Sequence, residues 1–250
     1  MKALLIANWK MNVQTPDEAR DLLAVTKRSL LKMRRVSVVL APPALFVSDL
    51  ARRTRGSTLA FAVQNIHFER TGAFTGETSA QQARSVGAQY ALIGHSERRK
   101  MGEKNDEVGK KAAIAIATGL KAIVCVGEEE RRDDGVYLAD VAAQLKAAIA
   151  PIAPEYLSRL IIAYEPVWNI GGSNAMDPRD MHEMAIYIRK LLSERFGEAG
   201  MRVPILYGGS ITSQSAAHMI KEGDVQGLLV GHMSVEKESW ARIISSVSDA

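Results

Sequence analysis

Several side chains of this 250-residue chain stand just past short apolar runs, and their types suit acid–base and anion chemistry. Glu165 follows Leu160-Ile161-Ile162-Ala163-Tyr164, a run of the kind that a parallel sheet buries on both faces. Pro166 comes next, disfavouring helical geometry at Glu165 and stiffening the start of a loop. In a parallel α/β protein, chemistry sits at that end of a strand, though a carboxylate there can also simply meet solvent. His95 follows Ala91-Leu92-Ile93-Gly94, where an imidazole either caps the next helix or works in a site. Asn8 and Lys10 close the first run. Two apart on a strand, they point to one face, and an ammonium converging with an amide can hold a phosphorylated carbonyl compound. The plainer reading of Lys10 is a solvated strand end. Late in the chain come Tyr207-Gly208-Gly209-Ser210 and Val230-Gly231-His232-Met233-Ser234. Glycines there let backbone N–H groups approach an anion, and a helix N-terminus adds roughly half a positive charge. Turns use glycine freely, so either loop alone is a weak signal.

The elements that position these residues are legible as periodicity. Strand-like apolar runs occupy Ala3–Ala7, Val36–Ala41, Leu59–Val63, Tyr90–Ile93, Ala122–Val126, Leu160–Tyr164, Ile205–Tyr207 and Gly227–Val230. Helical patterns lie between them. Leu138, Val141, Ala142, Leu145 and Ile149 keep one face, as do Met181, Met184, Ala185, Ile188 and Leu192. Thr15-Pro16-Asp17-Glu18 reads as a capping box, and Asp177-Pro178 as an N-cap followed by proline in the first turn. Strands alternating with helices predict an α/β fold, a closed (β/α)8 TIM barrel forming a single domain over residues 1–250. Periodicity also permits an open doubly wound sheet. The first strand lacks a following Gly-x-Gly-x-x-Gly, which counts modestly against a dinucleotide fold. No Ser-, Pro- or Gly-rich linker divides the chain.

Composition narrows the function classes. With 47% hydrophobic and 24% charged residues, the chain can bury one large core. A net charge of +4 with mixed signs suits an acidic small molecule, and no basic-aromatic pattern points to nucleic acid. Cys125 is the only cysteine and lies inside an apolar run, which makes it a core residue and points to a reducing compartment. The start of the chain has too short an apolar stretch for a signal peptide, and no run approaches the roughly 20 residues that span a bilayer. These features predict a cytoplasmic protein without membrane or nucleic-acid partners. No His, Cys, Asp and Glu set has metal-ligand spacing, and His67, His182 and His218 read as structural or surface residues.

Two strings are far more specific than periodicity. Ala163-Tyr164-Glu165-Pro166-Val167-Trp168 with its glycine-bearing loop, and Gly94-His95-Ser96-Glu97-Arg98-Arg99, resemble the triosephosphate isomerase family, as does Asn8-x-Lys10. The resemblance spans essentially the whole chain. It implies an isomerase that interconverts dihydroxyacetone phosphate and D-glyceraldehyde 3-phosphate, a reaction of glycolysis and gluconeogenesis, without cofactor or metal. In that family Glu165 would be the base and Pro166–Met176 a mobile lid. His95 would polarise substrate oxygens as a neutral imidazole, Lys10 would add positive charge, Asn8 would position substrate, and Glu97 would be a second acid near the lysine. Gly171, Ser210, Gly231 and His232 would offer backbone N–H groups to phosphate. The loop Thr71–Glu77 would insert into a second subunit, giving a homodimer; the alternative is a surface loop with its own packing. The chain departs from the family in the lid, usually Ala-Ile-Gly-Thr-Gly-Lys-Thr-Ala, here Asn169-Ile170-Gly171-Gly172-Ser173-Asn174-Ala175-Met176. His232 also replaces a phosphate-loop glycine, and its imidazole either faces the anion or turns to solvent. These departures keep open a four-carbon ketose phosphate as substrate, or a barrel that binds sugar phosphates without turnover.

Overall fold

Strand alternation decides which side chains see the inside of a sheet, and here it does so around a closed ring. The computed structural model of the chain describes residues 2–31, 33, 35–131, 135–172 and 175–250. Its strands are β1 (Ala3–Asn8), β2 (Val36–Ala41), β3 (Ala60–Val63), β4 (Tyr90–Ile93), β5 (Lys121–Val126), β6 (Leu160–Tyr164), β7 (Ile205–Tyr207) and β8 (Gly227–Val230). They lie parallel in sequence order, and β8 returns to β1 with Ile6 opposite Leu229. The sheet is therefore closed, which decides between the two topologies that periodicity permitted. Closure needs a bare backbone at Gly227, where a Cβ would stand 2.0 Å from the Leu4 carbonyl oxygen.

Two apolar layers hold the ring. Inside it pack Ile6, Val39, Ala62, Leu92, Ile123, Cys125, Ile161, Ala163, Leu206 and Leu229. The alternate strand residues, such as Leu5, Leu40, Val124 and Ile162, face outward onto the helices. Each buried Leu, Ile or Val stabilises the fold by about 1.5–3 kcal/mol relative to exposure. On β6, Ile161 and Ala163 point inward, so the next residue in that phase is Glu165. The same count carries Asn8 on from Ile6. Both therefore project at the carboxyl end of the barrel.

The helices are α1 (Pro16–Leu30), α2 (Ala44–Arg52), α3 (Ala80–Ser85), α4 (Ser96–Lys100), α5 (Asn105–Ala117), α6 (Tyr137–Ile149), α7 (Pro178–Phe196), α8 (Ser213–Glu222) and α9 (Lys237–Ser248). The predicted faces of α6 and α7 are buried at Val141, Leu145 and Ile149 and at Met181, Met184, Ala185, Ile188 and Leu192. Asp177 caps α7 as expected, its carboxylate accepting from the Arg179 N–H at 2.8 Å. The expected box at α1 is only half formed. Thr15 accepts from the Glu18 N–H, but Glu18 reaches past Thr15 to the Gln14 N–H at 2.8 Å. Strand limits differ by one residue from the apolar runs at β1, β3 and β5. No helix among the described residues is long and apolar enough to cross a membrane.

Candidate active site

Glu165 lies one residue beyond β6, its N–H still continuing the ladder to the Val126 carbonyl at 2.8 Å. Its carboxylate is almost wholly buried and has two partners. Oε2 accepts from the Ser96 N–H at 3.0 Å, and Oε1 stands 3.1 Å from Nε2 of His95. His95 is the N-cap of α4, and Nδ1 accepts from the Glu97 N–H at 3.2 Å. An accepting nitrogen carries no proton, so the proton sits on Nε2, aimed at Glu165. The two readings of this histidine are thus not alternatives, because capping is what orients the functional nitrogen.

Asn8 ends β1, but Lys10 is not on a strand. Its backbone is left-handed, with φ 51°, so the same-face argument from strand spacing does not apply. A turn brings the pair together instead. Asn8 Oδ1 accepts from the Lys10 N–H at 3.1 Å, and the Gln64 amide bonds the Lys10 carbonyl at 2.9 Å and that of Ala41 at 2.8 Å. The Lys10 ammonium then pairs with Glu97 Oε1 at 2.7 Å. Burial pushes the Glu97 carboxyl up, but its hydrogen bond to Lys10 and the surrounding positive charge outweigh this and leave it below its ordinary value.

Bare backbone makes room for Glu165. A Cβ on Gly127 would lie 1.8 Å from the Glu165 carbonyl oxygen, and one on Gly208 would lie 3.0 Å from Glu165 Cγ. Beneath the site, Arg99 ties the ends of β4 and β5 together through the carbonyls of Gly94 and Cys125. Cys125 is buried in the barrel, and burial followed by the Glu165 charge pushes its thiol well up, keeping it a neutral core group as read from the sequence.

The glycine loops converge on the same mouth. Gly171, Gly208–Thr212 and Gly231–Met233 line one cavity of about 290 Å³ with Asn8, Lys10, His95 and Glu165. His232 opens a short 3-10 turn, His232–Ser234, so its N–H is at a helical start. Its side chain is 71% exposed, with Nε2 2.9 Å from Glu236 Oε1. The imidazole is thus paired with a carboxylate, while the backbone N–H starts the turn at the cavity. The Ser210 N–H, expected to be free for phosphate, meets Asn169 Oδ1 at 3.3 Å. Ser173, the substituted lid-tip position, lies outside the described residues, as does Asn174.

The start of the loop after β6 is tied to the residues just past β5. The buried Glu128 accepts from the Tyr164 hydroxyl at 2.7 Å and from Trp168 Nε1 at 2.8 Å. Burial, then the Glu128 charge, pushes the Tyr164 hydroxyl far up, so it remains a donor. Arg131 lies over both the Tyr137 and Trp168 rings. A larger concavity of about 500 Å³ opens beside this loop, lined by Glu128, Tyr137 and Asp140, but Glu165 and His95 face the smaller one. Ser96, Gln64, Glu128 and Asn169 were not singled out as site residues. Ser96 lies inside the Gly94–Arg99 string, Asn169 opens the altered lid, and Glu128 is a carboxylate shortly past an apolar run, as Glu165 is, whereas Gln64 carries no such signal.

A buried carboxylate facing an imidazole N–H, with an ammonium and an amide beside them, can move a proton and stabilise the oxygen that gains charge. The family model described as triosephosphate isomerase matches residues 3–247. The triosephosphate isomerase of Streptococcus thermophilus is 37% identical over 249 residues, covering 98% of each chain. That of Idiomarina loihiensis is 35% identical over 243 residues, covering 96% of each, and that of Natranaerobius thermophilus is 35% identical over 245 residues, covering 97% of this chain and 95% of its own.

Proposed function

Since the chain belongs to the triosephosphate isomerase family, we propose that it interconverts dihydroxyacetone phosphate and D-glyceraldehyde 3-phosphate, a step of glycolysis and gluconeogenesis, as a single barrel domain. The observation that carries this reading is the Glu165 carboxylate facing the His95 Nε2–H in a cavity shared with Lys10 and Asn8. Glu165 leaves the Ser96 N–H and takes a proton from the carbon beside the substrate carbonyl. The C–H electron pair becomes a C=C bond, and the carbonyl pair moves onto oxygen. His95 and the Lys10 ammonium stabilise that enediolate, Asn8 positions the substrate, and Glu97 holds the lysine. A preorganised donor of this kind is worth roughly 3 kcal/mol of the barrier. The substrate hydroxyl proton then passes to the former carbonyl oxygen, and the released O–H pair forms the new C=O. The C=C pair takes the proton that Glu165 returns to the neighbouring carbon. Backbone N–H groups of Gly171, Ser210, Gly231 and His232 hold the phosphate, and Pro166–Met176 closes over it and excludes water.

The pairing of His232 with Glu236 weakens one of the two departures that motivate a four-carbon substrate, so the triose is preferred. The decisive experiment incubates the protein with dihydroxyacetone phosphate in deuterated water and follows both isotope and product by NMR. Deuterium at carbon together with the aldehyde is expected. Absence of both would leave a binding protein, and faster turnover of a four-carbon ketose phosphate would favour the larger substrate.

The working unit is an isologous homodimer. Support comes from the loop at 71–77, where Phe74 is 41% exposed and its ring meets His67 in a tilted contact at 4.1 Å between centroids. Met11, beside Lys10, and Met101, just after α4, are also largely exposed. These supply apolar surface for a second copy, with Met11 next in sequence to the lysine of the Lys10–Glu97 pair. The single buried cysteine supports a cytoplasmic setting.

A further inference from the structure

The hydrogen bonds of Asn169 differ in kind from those of its neighbours, because they run from the lid to the loop after β7. Its Oδ1 accepts from the Tyr207 hydroxyl at 3.0 Å and from the Ser210 N–H at 3.3 Å. Its backbone carbonyl accepts from Ser210 Oγ at 2.7 Å. Tyr207 in turn accepts from the Met176 N–H at 3.0 Å, so one buried hydroxyl holds positions 169 and 176 together. Burial raises that hydroxyl to about 12, which keeps its proton in place for donation to Asn169. The Ser210 N–H can only donate, so the amide atom facing it is oxygen. Gly209 admits this arrangement by lacking a Cβ, which would stand 2.2 Å from the Tyr207 hydroxyl and 3.0 Å from Asn169 Oδ1.

We infer that Asn169 is a positioning residue whose side-chain oxygen occupies the Ser210 N–H in the resting chain and gives it up to a phosphate oxygen when substrate binds. This rests on the reading of the mouth as a phosphate site. The exchange follows from acceptor strength. A bond from a backbone N–H to an ionised oxygen is roughly twice as strong as one to a neutral amide oxygen. At 3.3 Å the resting bond is also long, within the range where hydrogen bonds weaken. Oδ1 retains the Tyr207 hydroxyl after release, so the lid stays registered on the β7 loop while the N–H changes partner. A ligand without ionised oxygens gains little from the exchange. Asn169 therefore raises the selectivity of the mouth for dianions at some cost in affinity. The alanine of the usual lid lacks this side-chain acceptor.

The test is an NMR titration with inorganic phosphate at constant ionic strength near pH 8, read at the Ser210 amide, for the wild type, Asn169→Ala and Asn169→Asp. Thermal melts check that each variant folds. Alanine removes the competing acceptor, so phosphate should bind about two- to tenfold more tightly, the worth of one neutral hydrogen bond. The Ser210 amide should differ between ligand-free wild type and alanine variant, and converge at saturation. Aspartate keeps an acceptor and adds charge facing the anion, so binding should weaken by tenfold or more, less so at high salt. Unchanged or weaker binding in the alanine variant overturns the exchange and leaves Asn169 as lid packing. A wild type that binds no phosphate at the Ser210 amide overturns the phosphate reading itself, a different failure.

Discussion

The carboxylate of Glu165 is held between the Ser96 N–H and His95 Nε2, 3.0 and 3.1 Å away, in a pocket that leaves it almost no contact with solvent. Neither partner is a full charge of opposite sign, since His95 uses Nδ1 as an acceptor. The carboxylate is therefore held on neutral donors. This relationship sets the first two predictions.

Glu165→Asp keeps the carboxylate but withdraws it by one methylene. A displacement of about 1 Å costs roughly a hundredfold in rate, so kcat should fall at least that far with little change in KM. Steady-state kinetics in both directions measure it. An unchanged kcat would remove Glu165 from the role of base.

Gly208→Ala should impair the same step without changing the chemistry of any reacting group. The added Cβ would sit 3.0 Å from Glu165 Cγ and 3.3 Å from the Tyr164 carbonyl oxygen, so the glutamate stem must move. We expect kcat to drop by about tenfold or more while the melting temperature shifts by only a few degrees. Wild-type kinetics in this variant would show that the stem has room that the static contacts deny.

Glu97 makes the Lys10 ion pair a pH-dependent part of the fold. Its carboxyl sits below its ordinary value, so its contribution is complete above the unfolded-state value near 4.3 and is lost as pH falls through the lower folded value. The stability difference between wild type and Glu97→Gln should thus be constant from pH 8 to 5 and shrink from pH 5 towards 3. Thermal melts of both proteins over that range test it. A difference that grows on acidification would contradict the sign. With Glu97 half exposed, the effect should be small and sensitive to salt.

Removing residues 73–75 from the loop at 71–77 should yield monomers of much lower activity, because the exposed Phe74 and its neighbours would no longer bury themselves in a second copy. Sedimentation velocity with kinetics at matched concentrations separates the two effects. A fully active monomer would show that the site is complete in one chain.

Local rules were sufficient for the frame of this protein. Apolar runs of three to six residues became the strands within one residue at either end, because a strand buried on both faces must be continuously apolar. The phase of β6 carried Glu165 to the barrel mouth, and the Gly-His-Ser-Glu-Arg-Arg string carried His95 there. Closure of the sheet was different, since Ile6 meets Leu229 across more than two hundred residues and no periodicity records that pairing. The left-handed turn at Lys10 was also hidden, because Asn8 and Gln64 impose it from separate strand ends against the residue's own preference. Whether an N–H faces a cavity or another side chain depends on which loops pack together. For that reason the sequence pointed to Ser210 and His232 as phosphate donors, while only the fold revealed Asn169 on the one and Glu236 paired with the imidazole of the other.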